Sequence, residues 1–183
     1  MKFSPHIETP RLRIRPIDKS DLPGLMAVNG DDAVTRFLPY ASWQSLADAE
    51  AWHDRVLAYQ KNGDTFQFVI TLPDGTPIGT CLLFKLVEAS ARAELGYALA
   101  RAHWGSGLMY EAIHAFVDRI FQDLPLHRLE AEIDPRNAGS ARLLEKLGFV
   151  REGLLRDRWR NKGETTDAAL YGLLRPDWEA RPA

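Results

Sequence analysis

Two glycines, Gly105 and Gly107, flank a serine in the stretch HWGSGLMYEAI, His103 to Ile113. They come directly before the most regular helical pattern of the chain, so the unpaired N–H groups of a first helical turn and the positive end of the helix dipole would face the same space. Phosphate oxygens accept several N–H bonds at once if no β-carbon keeps them away, and glycine with the small Ser106 meets that condition. The stretch therefore indicates an anion-binding loop.

The two common nucleotide-binding loops do not fit this stretch. A dinucleotide fingerprint needs a third glycine where the chain has Tyr110, and a P-loop needs Lys followed by Ser or Thr where the chain has Leu108 and Met109. A tight turn between a strand and a helix, without any ligand, is the simpler explanation of an isolated glycine pair. The surrounding sequence has to decide between the two.

The elements around the loop alternate between strand and helix patterns. Apolar residues recur at helical spacing from Met109 to Phe121, and AELGYALA before the loop and HRLEAEI after the helix have strand patterns. Upstream we expect a strand in RLRIRPI, two helices of which the second spans Leu46 to Lys61, and a hairpin in which FQFVITL and PIGTCLLFKLV flank an Asp-Gly turn. A short helix that stops at Gly148 and two strands around NKGE follow. This order predicts an α/β or α+β fold.

Length and composition narrow the class of protein. The 183 residues carry a net charge of −2, a single cysteine and five scattered histidines. The charge gives no broad attraction to nucleic acid or to an anionic membrane, and the cysteine and histidine patterns indicate neither an internal disulfide nor a metal site. No signal-peptide pattern begins the sequence, and no apolar run reaches the about 20 residues of a membrane-spanning helix. We expect one cytoplasmic domain over residues 1–183, either a monomer or a homodimer.

Three segments in order resemble the GNAT superfamily of acetyl-CoA-dependent N-acetyltransferases: GYALARAHWGSGLMYEAI, NAGSARLLEKLGFVREG and DAALYGLLRPDW. The likeness is greatest to the RimJ/RimL-type branch of ribosomal-protein N-terminal acetyltransferases, and it runs from ETPRLRIRPI to RPDW. It implies a GNAT fold, with a mixed, curved central sheet, flanking helices and acetyl-CoA between two splayed strands. The anion at the glycine loop would then be the pyrophosphate of coenzyme A.

The resemblance also implies which residues contact the coenzyme. They lie on the splayed strand, on the loop, in the first turn of the helix after it and at the start of the later NAGS helix: Tyr97, Ala98, Leu99, Trp104, Gly105, Ser106, Gly107, Leu108, Met109, Asn137 and Ser140. A backbone N–H near Tyr97 or Ala98 would polarise the thioester carbonyl, so side-chain substitutions there should be inconclusive. The sequence departs from the family at Ala102, where members carry Arg or Gln.

Amide formation from a thioester needs a neutral amine and a proton for the departing thiolate. By the resemblance Ser140 is the candidate general acid, and Asn137 bonds the pantetheine arm; both would also suit local hydrogen bonds at a helix start. Glu94 is the candidate general base, directly or through water, with Glu132 as second choice. Alternation does not say which face of its strand carries Glu94, and a solvated carboxylate explains it equally well. Cys81 lies in an apolar strand, a position that favours a small buried hydrophobic residue over a nucleophile. We therefore expect the acetyl group to pass directly from acetyl-CoA to the amine, without an acetyl-cysteine intermediate.

The expected acceptor is a primary amine, and a protein or peptide N-terminus needs the least help from a base. An α-amine has a pKa near ~8 and is partly neutral at cellular pH, whereas lysine, near ~10.4, is not. Small amines such as amino acids, polyamines or antibiotics are alternatives, as is a sensor that binds acetyl-CoA without transfer.

Aromatic and basic residues give two weaker indications about the acceptor. Tyr40, Trp43 and Trp52 would line the acceptor groove or, as is common at such spacing, belong to a core. Five basic residues of the late hairpin would draw in an acidic peptide or simply form a solvated face: Arg151, Arg156, Arg158, Arg160 and Lys162.

Overall fold

The computed structural model describes residues 3–63 and 65–181. Within them the strands are β1 Ile7–Glu8, β2 Arg13–Pro16, β3 Phe66–Thr71, β4 Pro77–Val87, β5 Arg92–Leu99, β6 Arg128–Ile133, β7 Val150–Asn161 and β8 Glu164–Leu174. The α-helices are α1 Leu22–Asn29, α2 Asp32–Thr35, α3 Leu46–Lys61, α4 Leu108–Asp123, α5 Ala138–Lys146 and α6 Arg175–Glu179. The strands form one sheet in the order β1-β2-β3-β4-β5-β6-β8-β7, in which only β5 and β6 pair in parallel.

Two helices, α3 and α5, form where the end signals in the sequence predict them. α3 begins at Leu46, directly after Ser45, whose backbone N–H donates to the Asp48 carboxylate at 3.0 Å. It ends before Asn62 and the left-handed Gly63, which terminate the helix locally. α5 likewise ends ahead of Gly148, which has a φ of 91°. The short elements β1, α2 and α6 contain too few residues to show a hydrophobic period, so the sequence pattern does not predict them.

The central parallel pair separates along its length. Three register pairs join β5 to β6, the last of them Glu94 with Glu130, although β5 continues to Leu99 and β6 to Ile133. Beyond Glu94 the strands no longer share a ladder, and the gap between them opens into a cleft. The mixed sheet with splayed central strands is confirmed.

Each face of the sheet carries its own apolar core. α4 covers one face with the fully buried Ile113, Phe116 and Ile120, which pack with Leu95 of β5. α1 and α3 cover the other face, where Ala98 of β5 belongs to their cluster. Because side chains alternate along a strand, Glu94 shares the α1 and α3 face with Ala98, and Tyr97 shares the α4 face with Leu95.

The aromatic residues before the sheet divide between core and cleft. Trp43 is buried and packs against Trp52 with ring centroids 5.2 Å apart. Trp52 and Tyr40 line the cleft, while Trp43 does not. The structure therefore places Trp43 in the core. No helix among residues 3–63 and 65–181 is long and apolar enough to span a bilayer.

Candidate active site

The splay between β5 and β6 leads into a cleft of about 820 Å³. Strands β4, β5 and β6 form its floor, the segment from α2 to Ser42 forms one wall, and the start of α5 and the β7–β8 hairpin form the other. At the mouth, Lys162 of the hairpin turn donates a hydrogen bond to the carbonyl oxygen of Thr35 at 2.6 Å. This bond ties the hairpin tip to the opposite wall.

The glycine loop follows the carboxyl end of β5, the end at which β5 and β6 separate, and it lies directly before α4. Gly105 and Gly107 have φ angles of 72° and 78°, which a residue with a side chain rarely adopts, and Gly107 is the N-cap of α4. In the part of the chain that the structure describes, the backbone N–H groups from Gly105 to Leu108 donate to no protein acceptor. A β-carbon at Gly105 would meet nothing within 4 Å, so the space beside the loop is open. The loop has the free donors and the clearance that a phosphate needs.

Two hydroxyl groups meet in the cleft where α5 begins. The Ser140 Oγ and the Tyr97 Oη lie 2.7 Å apart, and either can be the donor. Asn137 caps α5 by accepting a hydrogen bond from the Ser140 N–H at 3.1 Å, which leaves the serine hydroxyl free to face the cleft. Burial raises the pKa of the Tyr97 phenol, so this group stays protonated at neutral pH. The resemblance indicates a role only for the backbone of Tyr97, and no local sequence pattern predicts the contact of its hydroxyl with Ser140.

Glu94 faces the cleft, which settles the orientation that alternation alone left open. Its side chain is buried, and the Lys85 Nζ donates to one of its carboxylate oxygens at 2.7 Å. Lys85 stands at a bulge of β4 with a φ of 50°, so a left-handed residue directs this ammonium to Glu94. Burial raises the pKa of Glu94, and the charge and hydrogen bond of Lys85 partly oppose that rise.

Glu132, the second candidate base, also lines the cleft. One of its carboxylate oxygens accepts hydrogen bonds from both Arg158, at 3.4 Å, and the indole N–H of Trp159. Of the five basic residues named in the late hairpin, Lys162 alone lines the cleft, while Arg158 reaches it through Glu132.

Cys81 lies outside the cleft in the core of the sheet, fully buried among apolar side chains. Burial raises the pKa of its thiol, which removes the thiolate that a nucleophile needs. The prediction of a buried hydrophobe at this position is confirmed.

Comparisons with known proteins agree with this geometry. The family described as "Acetyltransferase (GNAT) domain" matches residues 11–150. The uncharacterised N-acetyltransferase p20 of Bacillus licheniformis is 32% identical, over 93% of this chain and 96% of its own. The [ribosomal protein uS5]-alanine N-acetyltransferase of Escherichia coli is 34% identical, over 74% of this chain and 75% of its own.

The chain belongs to the GNAT acetyltransferase family. It is an N-acetyltransferase with acetyl-CoA as its co-substrate. Its relatives include ribosomal-protein N-acetyltransferases, as the resemblance indicated.

Two solved GNAT structures share the fold at lower identity. Mycobacterium smegmatis RimJ in complex with CoA-disulfide has a TM-score of 0.83 and 24% identity, covering 94% of this chain and 85% of its own. Vibrio cholerae spermidine N-acetyltransferase in complex with CoA and spermine has a TM-score of 0.81 and 21% identity, covering 93% and 99%. The fold of this acetyltransferase is therefore compatible with more than one class of acceptor.

The glycine loop gives a first test of where the acetyltransferase holds its co-substrate. Gly105→Ala forces an alanine into left-handed backbone, which costs about 1–2 kcal/mol and lowers Tm by about 2–8 °C. The new β-carbon also enters the open space beside the free N–H groups, so we expect the Kd for CoA, measured by calorimetry, to rise about 10-fold.

Gly75→Ala is the matched control for this strain. Gly75 has a φ of 90° and also has nothing within 4 Å of an added β-carbon, but it lies in the β3–β4 turn. We expect it to cost similar stability and leave the Kd for CoA unchanged. Equal Kd values for both variants and the wild type would show that the phosphates of CoA do not bind at this loop.

Proposed function

We propose that this acetyltransferase moves the acetyl group of acetyl-CoA directly to the α-amine of a protein or peptide N-terminus, as one catalytic domain working in the cytoplasm. The uS5-alanine N-acetyltransferase, similar over three quarters of its length, supports a protein acceptor. The observation that carries the proposal is the charge pairing inside the cleft, because it bears on which amines the cleft can accept.

Most acidic side chains that line the cleft already have a cationic partner from the protein. Lys85 pairs with Glu94 at 2.7 Å and Arg158 with Glu132 at 3.4 Å. Arg136 forms salt bridges with two more carboxylates, those of Asp134 at 2.7 Å and Glu164 at 3.1 Å. A polyamine carries several positive charges and would have to displace these partners, whereas an N-terminal α-amine brings one charge, which it loses before it reacts.

Two lining carboxylates, Asp32 and Asp167, form no salt bridge with a described residue, and they favour a polyamine as the second candidate. Asp32 accepts a hydrogen bond from Ser42, and Asp167 accepts the backbone N–H of Asp157. Both carboxyl groups line the cleft and could attract a cationic acceptor.

The residues around the splay divide the chemistry between the two faces of β5. The acceptor attacks as the neutral amine. As its nitrogen bonds to the thioester carbon, Glu94, from the α1 and α3 face, takes one proton from that nitrogen directly or through one water. A backbone N–H near Tyr97 or Ala98 stabilises the charge that the carbonyl oxygen gains.

Ser140, from the α4 and α5 face, completes the transfer. As the carbon–sulfur bond breaks, the electron pair goes to the sulfur, and the Ser140 hydroxyl donates the proton that this sulfur accepts. Ser140 is itself a weak acid, so the Tyr97 hydroxyl at 2.7 Å restores its proton, and Tyr97, which lines the open cleft, regains a proton from solvent once CoA leaves. The two groups then act as a relay. Asn137 fixes the start of α5, and therefore the position of Ser140, and its amide group remains a donor for the pantetheine arm.

An acceptor panel tests this proposal. Three acceptors are compared by the release of free CoA thiol and by product mass: a peptide that begins with alanine and contains one lysine, the same peptide with its N-terminus formylated, and spermidine. We expect kcat/KM for the free peptide to exceed that for the blocked peptide by about 100-fold, because the lysine amine is mostly protonated near neutral pH.

The other outcomes are equally distinct. Preference for spermidine would replace the N-terminal acceptor with the polyamine. Equal rates with the free and the formylated peptide would make lysine the acceptor. Binding of acetyl-CoA without turnover of any amine in a wider panel would make the protein a sensor.

A further inference from the structure

Arg11, which precedes β2, lies against the glycine loop although almost a hundred residues separate them. Its Nη1 donates to the carbonyl oxygen of Ser106 at 3.0 Å. Its Nε donates to the Glu111 Oε2 at 2.6 Å, and its backbone N–H donates to the Glu111 Oε1 at 3.0 Å. The guanidinium is therefore fixed in position beside the loop by two hydrogen bonds of its own, and the Arg11 backbone by a third.

The free edge of this guanidinium faces the loop. Arginine has five N–H donors, and these contacts use two of them. The Nη2 has no protein acceptor among the described residues, and it lies 3.6 Å from the point where a β-carbon on Gly107 would stand. Unused guanidinium donors and the unpaired backbone N–H groups from Gly105 to Leu108 therefore share one surface.

The negative charge of Glu111 gives its ion pair with Arg11 an electrostatic effect on the loop. Glu111 lies in the first turn of α4, where its carboxylate would repel a phosphate bound at the helix N-terminus. Arg11 neutralises that carboxylate, and Thr9 holds it with a further hydrogen bond at 2.6 Å. A guanidinium that binds a carboxylate on one edge keeps its other edge for a second anion.

We propose that Arg11 is a coenzyme-binding residue whose guanidinium contacts the diphosphate of acetyl-CoA at the loop from Trp104 to Met109. This inference rests on the proposed position of the coenzyme at the loop. It assigns the segment before β2 a direct part in binding, in addition to its place in the sheet.

The first experiment compares two ligands by calorimetry: CoA, which carries the diphosphate, and pantetheine, which carries no phosphate. We expect Arg11→Ala to weaken CoA binding about 10-fold and to change pantetheine binding by less than about twofold, because a hydrogen-bonded charge contact is lost only for the diphosphate. Arg13→Ala is the matched control, since Arg13 is two residues away, equally exposed and paired with Glu8. It should leave both affinities unchanged.

The second experiment separates a direct contact from a purely structural clamp. Glu111→Gln keeps an oxygen that can accept from Arg11 but removes the negative charge beside the diphosphate. If Arg11 contacts the diphosphate directly, Glu111→Gln should bind CoA equally well or more tightly. If Arg11 only holds the loop in place through its ion pair with Glu111, Glu111→Gln should bind CoA more weakly. The Kd for CoA should also depend less on salt concentration in Arg11→Ala than in the wild type, because one screened charge pair is gone.

Several results would overturn the inference. They are an unchanged CoA affinity in Arg11→Ala, an equal loss for CoA and pantetheine, or a loss in Glu111→Gln as large as that in Arg11→Ala. Failure of the proposed function gives a different set of results. The wild type would then bind CoA, and Arg11→Ala would still weaken that binding, but the wild type would not acetylate an N-terminus. Melting curves confirm that each variant is folded.

Discussion

Ser140→Ala is expected to lower kcat by about 100-fold and to leave the Kd for CoA nearly unchanged. General acids contribute about 10²- to 10⁴-fold, and the lower end applies because a thiolate leaves more readily than an alkoxide or an amine. The Asn137 cap accepts from the backbone N–H of residue 140, so the substitution keeps the start of α5 intact. Initial rates with saturating acetyl-CoA and calorimetry with CoA measure the two quantities.

Tyr97→Phe distinguishes a relay from a serine that acts alone. If the phenol restores the proton of Ser140, its removal should lower kcat about 10-fold, and the double variant should be no slower than Ser140→Ala, because both groups act in one step. Ser90→Ala, at an exposed position away from the cleft, controls for a serine deletion as such. A parallel loss of CoA affinity and kcat in Ser140→Ala would make Ser140 a binding residue rather than the acid.

How much of this fold the sequence predicts depends on whether the signal for each element lies within a few residues of it along the chain. α3 could be predicted from Leu46 to Lys61 because its capping box and its Asn-Gly stop are local. The hairpin of β3 and β4 and the helix after the glycine loop are local in the same sense, since a turn pair or a period of 3.6 residues specifies each.

The site needed information that local patterns do not contain. The face on which Glu94 lies depends on which helices cover which side of the sheet, and that choice is made by tertiary packing. The contact of Tyr97 with Ser140 requires α5 to dock beside β5, 43 residues away along the chain. The bulge that directs Lys85 to Glu94 follows no sequence signal, because a lysine rarely adopts the left-handed backbone that it has there.

The residues that the resemblance supplied fall into two groups in the structure. Tyr97, Ala98, Asn137 and Ser140 meet around the cleft, while the glycine loop lies beyond the end of β5. An extended ligand with a diphosphate at one end and a thioester at the other suits this separation. Neither group alone would indicate such a ligand, because free N–H groups bind many anions and paired hydroxyls occur in many cores.

Glu94→Gln is expected to lower kcat/KM by about 100-fold, and Lys85→Gln is expected to move the pH profile rather than to abolish activity. Glu94 accepts a proton only as a carboxylate. Burial raises the pKa of that carboxyl, so activity should fall as the pH drops through a value above the ordinary range of about 4.3. Lys85 stabilises the carboxylate, so its removal raises the pKa of Glu94 further and moves the acid limb of the profile to higher pH.

The acid limb is measured as kcat at saturating acceptor. Under that condition the pH dependence reflects the pKa values of groups in the enzyme–substrate complex and not the pKa of the free amine. Lys19→Gln, which breaks the exposed pair with Glu50, is the matched control and should leave the profile in place. Glu132→Gln tests the rival base. If it slows the reaction more than Glu94→Gln and removes the acid limb, the base is Glu132, and Lys85 then has no reason to govern the profile, because its ammonium contacts Glu94.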